Sequence, residues 1–220
     1  MLNIVINQDN MVLNQDILNK FASVKVQAEK FFLKRESISP NFNFDISSST
    51  YRVFRNTKNK PSIIVKDWIK SLLHNDEFFN DIEKINNRAD FYNFHEKYVE
   101  LLSEFWEEKE GNALSVAYKY KILDLFLKSL INRELHNDKI NEKLEQYCNV
   151  PLDSITFYTL DKITFGKFKL KNKTTGYITN KKMYDNIQLS VEFICDKAKM
   201  PKIYFEYFSQ QFKNHTMAYI

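Results

Sequence analysis

The stretch Ala89-Asp-Phe-Tyr-Asn-Phe-His-Glu-Lys-Tyr-Val-Glu-Leu-Leu-Ser-Glu-Phe-Trp-Glu-Glu108 decides the fold class. Phe91, Phe94, Tyr98, Leu101, Leu102, Phe105 and Trp106 recur at three- and four-residue spacing, which lines them along one side of an α-helix. The acidic run that follows stops at Gly111, a residue suited to ending a helix. Only three glycines and four prolines occur in 220 residues. All-β folds and phosphate-cradling loops consume glycine for turns and close backbone approach, so both are disfavoured. Neither a GxGxxG nor a GxxxxGK[ST] pattern is present, which argues against dinucleotide and P-loop enzymes.

Working outward, the same periodicity places helices over about Gln15–Phe32, Pro61–Leu73, Asp76–Ile85, Asn112–Asn132 and Asp138–Tyr147. Pro61 suits the first position of its helix. Pro151 interrupts the chain, and Asp153 or Ser154 can cap a helix running to about Leu160. Two last helices fall near Asn180–Lys197 and Pro201–Phe212. The expected fold is all-α, a single globular helical domain of about eight helices. Residues 1–60 are read as an N-terminal elaboration on a helical core over 61–220. Within that elaboration, residues 1–13 suggest a short strand or an irregular arm. Residues 34–60 suggest a long loop, with Phe42 and Phe44 embedded and a short strand near Tyr51–Phe54.

Composition narrows the function classes. The formal charge of +4 is compatible with nucleic acid without being diagnostic of it. Cys148 and Cys195 form no CxxC, which fits a reduced, cytoplasmic protein. His74, His95, His136 and His215 show no HExxH or HxE pattern, so neither a metal nor another cofactor is expected. The N-terminus lacks a basic start followed by an apolar stretch, and no run of about 18 apolar residues suggests a membrane span.

Lys121 lies inside the apolar run Leu114–Leu130, and Asp153 closes the tetrapeptide Val150-Pro-Leu-Asp153. A lysine in an apolar pocket loses hydration when charged, so its amine becomes available as a nucleophile. A neighbouring carboxylate can orient that amine, stabilise an oxocarbenium-like centre and shuttle protons. Together they suit attack at the anomeric carbon of a nucleoside. Asp124, three residues after Lys121, is an alternative partner. The plainer reading makes Lys121 a snorkelling side chain and Asp153 a helix cap.

The segment Ala117-Tyr-Lys-Tyr-Lys121, its apolar helix, and the Val150-Pro-Leu-Asp153 turn resemble the core of the helix-hairpin-helix DNA glycosylases. The likeness covers roughly residues 111–161. It implies that Lys121 corresponds to the nucleophilic lysine and Asp153 to the catalytic aspartate. Ala117 and Lys119 stand where that superfamily carries the hairpin glycines that bind a DNA phosphate. The segment also resembles small bacterial proteins with a K-W-x-N-x-x-x-K-Y-L helix before an H-x-P-x-D turn. There Lys121, Asp124, Lys128, Pro151 and Asp153 occupy the matching places.

Lys162, Lys167, Lys169, Lys171, Lys173, Lys181 and Lys182 are interleaved with Phe165, Phe168 and Tyr177. Lysines displace counterions from phosphates and aromatic rings stack on unpaired bases, so this is the best nucleic-acid surface in the sequence. Phe168 is grouped with the lysines as its aromatic contact. A merely solvated loop fits the same residues. Arg52, Arg55, Lys58 and Lys60 form a weaker basic patch. Glu100, Glu104, Glu107, Glu108 and Glu110 read as a water-facing helix side. Tyr184, Gln188, Glu206 and Tyr207 are expected to close the core around the helix that carries Lys121. Two functions follow. One is DNA binding of the glycosylase type, with base–sugar hydrolysis implied by the resemblance. The other is a non-catalytic helical protein of phage or mobile-element origin that binds another protein, favoured by the abundant aromatics.

Overall fold

In a computed structural model, described over residues 11–36, 46–54, 56–135 and 137–217 with side chains to residue 214, Asn87 opens the longest helix of the chain. This is α6, Arg88–Glu110, and Gly111 ends it in the left-handed conformation at φ 73°. Asn87 Oδ1 accepts the Asp90 N–H at the start, and the Gly111 N–H reaches the Glu107 carbonyl at the end. Phe91, Phe94, Tyr98, Leu102 and Trp106 are buried as the spacing predicts, whereas Leu101 is exposed. His95 and Val99 join the buried face instead. Asparagine is the recurrent cap in this chain. Asn14, Asn75, Asn87, Asn137 and Asn180 each accept backbone N–H groups at a helix start through their side chains.

The described residues hold eleven α-helices and no β-strand, an all-α fold. The surplus over about eight comes partly from the first helix, which Val24 divides into α1 (Gln15–Ser23) and α2 (Lys25–Leu33). A four-residue turn, α3 (Ser48–Tyr51), takes the place of the strand expected around Tyr51–Phe54. The Ser47 side chain caps it. The expected strand or arm over 1–13 falls mostly outside the described residues, as do Phe42, Phe44, Arg55 and His136. The side chain of His215 also falls outside them.

Two compact units divide the chain at 34/35 and 148/149. The unit over 35–148 contains α3, α4 (Pro61–Leu73), α5 (Asp76–Glu83), α6, α7 (Val116–Ile131) and α8 (Asp138–Tyr147). Its core is aromatic. Phe78 stacks on Phe126 at 5.6 Å between ring centroids and meets Tyr98 edge-on at 5.0 Å. Such pairs contribute about 0.5–1.5 kcal/mol each beyond the area they bury. Asn141 on α8 ties off the end of α7, its side-chain amide donating to the carbonyls of Leu130, Ile131 and Arg133. An isolated parallel bridge joins Glu36 to Arg133.

The second unit is discontinuous, combining α1 and α2 with α9 (Ser154–Ile163), α10 (Lys181–Ala198) and α11 (Tyr204–Met217). A 3-10 turn covers Thr175–Tyr177. Phe32 stacks on Tyr204 with ring planes 4° apart, and Phe21 packs against Phe205 and Phe208. The Asn14 N–H bonds to the Ile163 carbonyl, joining the two stretches of chain. Among the described residues no helix is long and apolar enough to cross a membrane.

Candidate nucleic-acid interface

At the end of α9 the chain makes a tight excursion governed by Asp161. Its carbonyl accepts the Gly166 N–H at 2.6 Å, and its side-chain Oδ1 accepts the Leu170 N–H at 2.9 Å. Asp161 is buried, so these bonds form where competition from water is weak. Between them the backbone visits the left-handed region at Phe165 (φ 51°), Gly166 (φ 73°) and Lys169 (φ 51°), and again at Asn172 (φ 65°). Glycine and asparagine accept that region readily. A phenylalanine does not, because its Cβ crowds the backbone.

The excursion sorts side chains by parity. Phe168 and Leu170 are buried, while Lys167, Lys169 and Lys171 are exposed. Phe168, grouped with the lysines on sequence, is thus an anchor of the loop at 6% exposure. Phe165 is 64% exposed and is the aromatic ring displayed beside them. Lys162 and Lys173, both at least partly exposed, stand over the rings of Tyr158 and Tyr177 at 5.6 and 4.9 Å. Further along, Lys181 pairs with Asp185 at 2.6 Å, and Lys182 is exposed. Five lysines and one buried aspartate between residues 161 and 173 leave a strongly positive local surface. In the weaker patch Arg52, Lys58 and Lys60 are exposed.

Asp153 caps α9. Its Oδ1 accepts the N–H groups of Ile155 at 2.8 Å and Thr156 at 2.9 Å. The segment before it is held by side chains. The Gln188 amide donates to the Val150 carbonyl and accepts the Val150 N–H, at 2.8 and 3.2 Å. Thr156 and Thr175 hydroxyls donate to the carbonyls of Pro151 and Leu152. Asn149 donates to the Tyr184 hydroxyl and accepts from the buried Lys202 ammonium. Tyr184 and Gln188 are buried and Glu206 and Tyr207 half-buried, in the same unit as Asn149 and Val150, whereas the helix that carries Lys121 belongs to the other unit. Lys121 is half-buried on α7, in the unit over 35–148, whereas Asp153 belongs to the other unit.

The sequence reading missed a polar pair between α6 and α7. His95 Nε2 lies 2.8 Å from Asp124 Oδ1, and both residues are about 1% exposed. Tyr120 stacks on the imidazole at 5.7 Å and donates its hydroxyl to Glu96. Burial works to lower the His95 pKa. Hydrogen bonds and charge attraction from Asp124 and Glu96 outweigh it and raise the value above the ordinary 6.5. The sequence held one signal for this pair. Asp124 lies inside an apolar helix, where an aspartate needs a partner. The pair links α6 to α7, and through Glu96, which is half-buried, the cluster extends toward the surface.

Glu110 also departs from the expected water-facing acidic side. It is buried, and its carboxylate accepts the N–H groups of Lys58 and Asn59, both at 2.8 Å. Burial pushes its pKa up, but these N–H donors prevail and hold it below the usual carboxylate range. No cluster of metal-ligating side chains occurs among the described residues. Comparison with protein families, with curated proteins and with solved structures finds no match for this chain.

Proposed function

We propose that the protein binds DNA, using the loop over 161–173 as its contact surface. The observation that carries this reading is the sorting of that loop. Phe168 and Leu170 turn inward, and Lys167, Lys169 and Lys171 are exposed together with the ring of Phe165. Lysines so placed release counterions from phosphates, which makes affinity fall steeply with salt. In the glycosylase form of the proposal, which rests on the resemblance, Lys121 supplies the amine nucleophile and Asp153 is the carboxylate tested beside it. The capping bonds of Asp153 both use Oδ1. A carboxylate has a second oxygen for other work.

Two measurements test the proposal. DNA retention across a salt series reads binding, and the Lys167→Gln/Lys169→Gln/Lys171→Gln variant is expected to flatten the dependence. Borohydride trapping on damaged and abasic DNA reads the amine chemistry, with Lys121→Ala as control. Asp153→Asn keeps a capping side chain while removing the charge, so a stable variant that no longer traps would assign chemistry to that carboxylate. Salt-sensitive retention without an adduct leaves a DNA-binding protein without lyase chemistry. Absence of both signals overturns the proposal. A second reading, a helical protein that binds another protein, draws on the exposed apolar side chains Val26, Phe31 and Leu33 of α2.

A further inference from the structure

We infer that the loop over 161–173 takes single-stranded DNA in preference to duplex, with Phe165 as the ring on which an unpaired base stacks. The inference rests on the DNA-binding reading of the same loop and narrows its substrate. Phe165 combines two features that folding alone does not reward. Its backbone occupies the left-handed region at φ 51°, and its ring is 64% exposed, so little burial offsets the conformational cost. Bulky residues in that region are outliers whose strain is retained where it positions a side chain for use. The loop is also anchored against relaxing, by the Gly166 and Leu170 N–H groups on Asp161 and by the buried Phe168 and Leu170.

The chemistry of the ring then selects the strand. A phenyl group reads no hydrogen-bonding edge and offers only a flat apolar face. In a duplex each base face is covered by its neighbours, and reaching one requires unstacking. In a single strand the faces are available, and stacking on a fixed aromatic is tolerant of sequence. Lys167, Lys169 and Lys171, exposed at every second residue after the ring, supply cations for the backbone on either side of a stacked base. A ring meant only to support lysines on duplex DNA has no need to stand in solvent.

The test is an anisotropy titration of the full chain with a short labelled single strand and with the matching duplex, across a salt series. Phe165→Asn is compared with the parent, since asparagine tolerates the left-handed conformation. The variant is expected to weaken single-strand binding roughly 5- to 100-fold at an unchanged salt slope, leaving duplex binding as it was. Phe165→Trp is expected to restore affinity and to show indole quenching on saturation with the single strand. Equal weakening on both DNAs, or none on either, overturns the single-strand inference while DNA binding stands. Failure of the parent chain to bind either DNA overturns the DNA-binding reading, and this inference with it.

Discussion

Two aspartates are buried among the described residues, and they do opposite things. Asp124 spends its carboxylate on another side chain, the imidazole of His95, and the result is an internal cluster of side chains that Glu96 also joins. Asp161 spends its side chain and its carbonyl on backbone N–H groups, and the result is a loop whose lysines face outward. Burial of a charge is therefore not by itself a mark of function. What matters is what the partner group does next. A side chain that is satisfied ends the chain of consequences. A backbone that is satisfied in a contorted shape passes the consequence on to every residue it displays.

Breaking the internal cluster should cost most. Asp124→Ala leaves His95 buried without its principal anion and is expected to remove about 3–5 kcal/mol of stability, read by urea denaturation. A loss below about 1 kcal/mol would show that the helices relax around the defect. The same pair sets a pH dependence. The folded-state pKa of His95 is raised, so between its unfolded value near 6.5 and the folded value the native state binds the extra proton. Its contribution is complete below pH 6.5 and disappears as pH rises through the folded value. Denaturation series at successive pH values should show this decline, and His95→Gln should abolish it.

Breaking the open arrangement should cost less in stability and more in recognition. Asp161→Ala strands the Leu170 N–H, at about 1–3 kcal/mol, and DNA affinity should fall with it because the lysines lose their frame. If affinity is unchanged, charge alone suffices and the shape of the loop is incidental. Asp153→Ala removes a helix cap and is expected to cost about 1 kcal/mol, with Asp153→Asn close to neutral. The smallest effect has the opposite sign. Phe165→Asn relieves a left-handed phenylalanine and should raise stability by roughly 0.5–1 kcal/mol, measured by thermal unfolding. A residue whose removal strengthens the fold and weakens binding would separate the two demands at one position.

The helices were legible because their signals are local. The stripe from Phe91 to Trp106, Pro61 at a helix start, Asp153 as a cap and Gly111 as a stop each act within a few residues of themselves. What stayed hidden depends on groups far apart in the chain. Nothing near Glu110 announces that Lys58 and Asn59 will return to it. His95 and Asp124 sit on different helices, and a lone histidine on an amphipathic face carries no mark of its partner. The lysine segment stands out by composition, but composition does not tell which of its rings is displayed, Phe165 or Phe168. Backbone angles made that choice, because Gly166 allows a reversal that puts one ring outside and the other within.

The discontinuity of the second unit has a consequence in time. During synthesis α1 and α2 leave the ribosome early, yet their partners α9, α10 and α11 are encoded more than a hundred residues later. At ordinary translation rates the Asn14 N–H waits on the order of ten seconds for the Ile163 carbonyl. The unit over 35–148 is one continuous stretch, so its internal contacts can form while the growing polypeptide is still tethered. The nascent protein thus carries a finished middle between an unfinished beginning and an unwritten end, and Phe21 and Phe32 are the apolar groups left waiting.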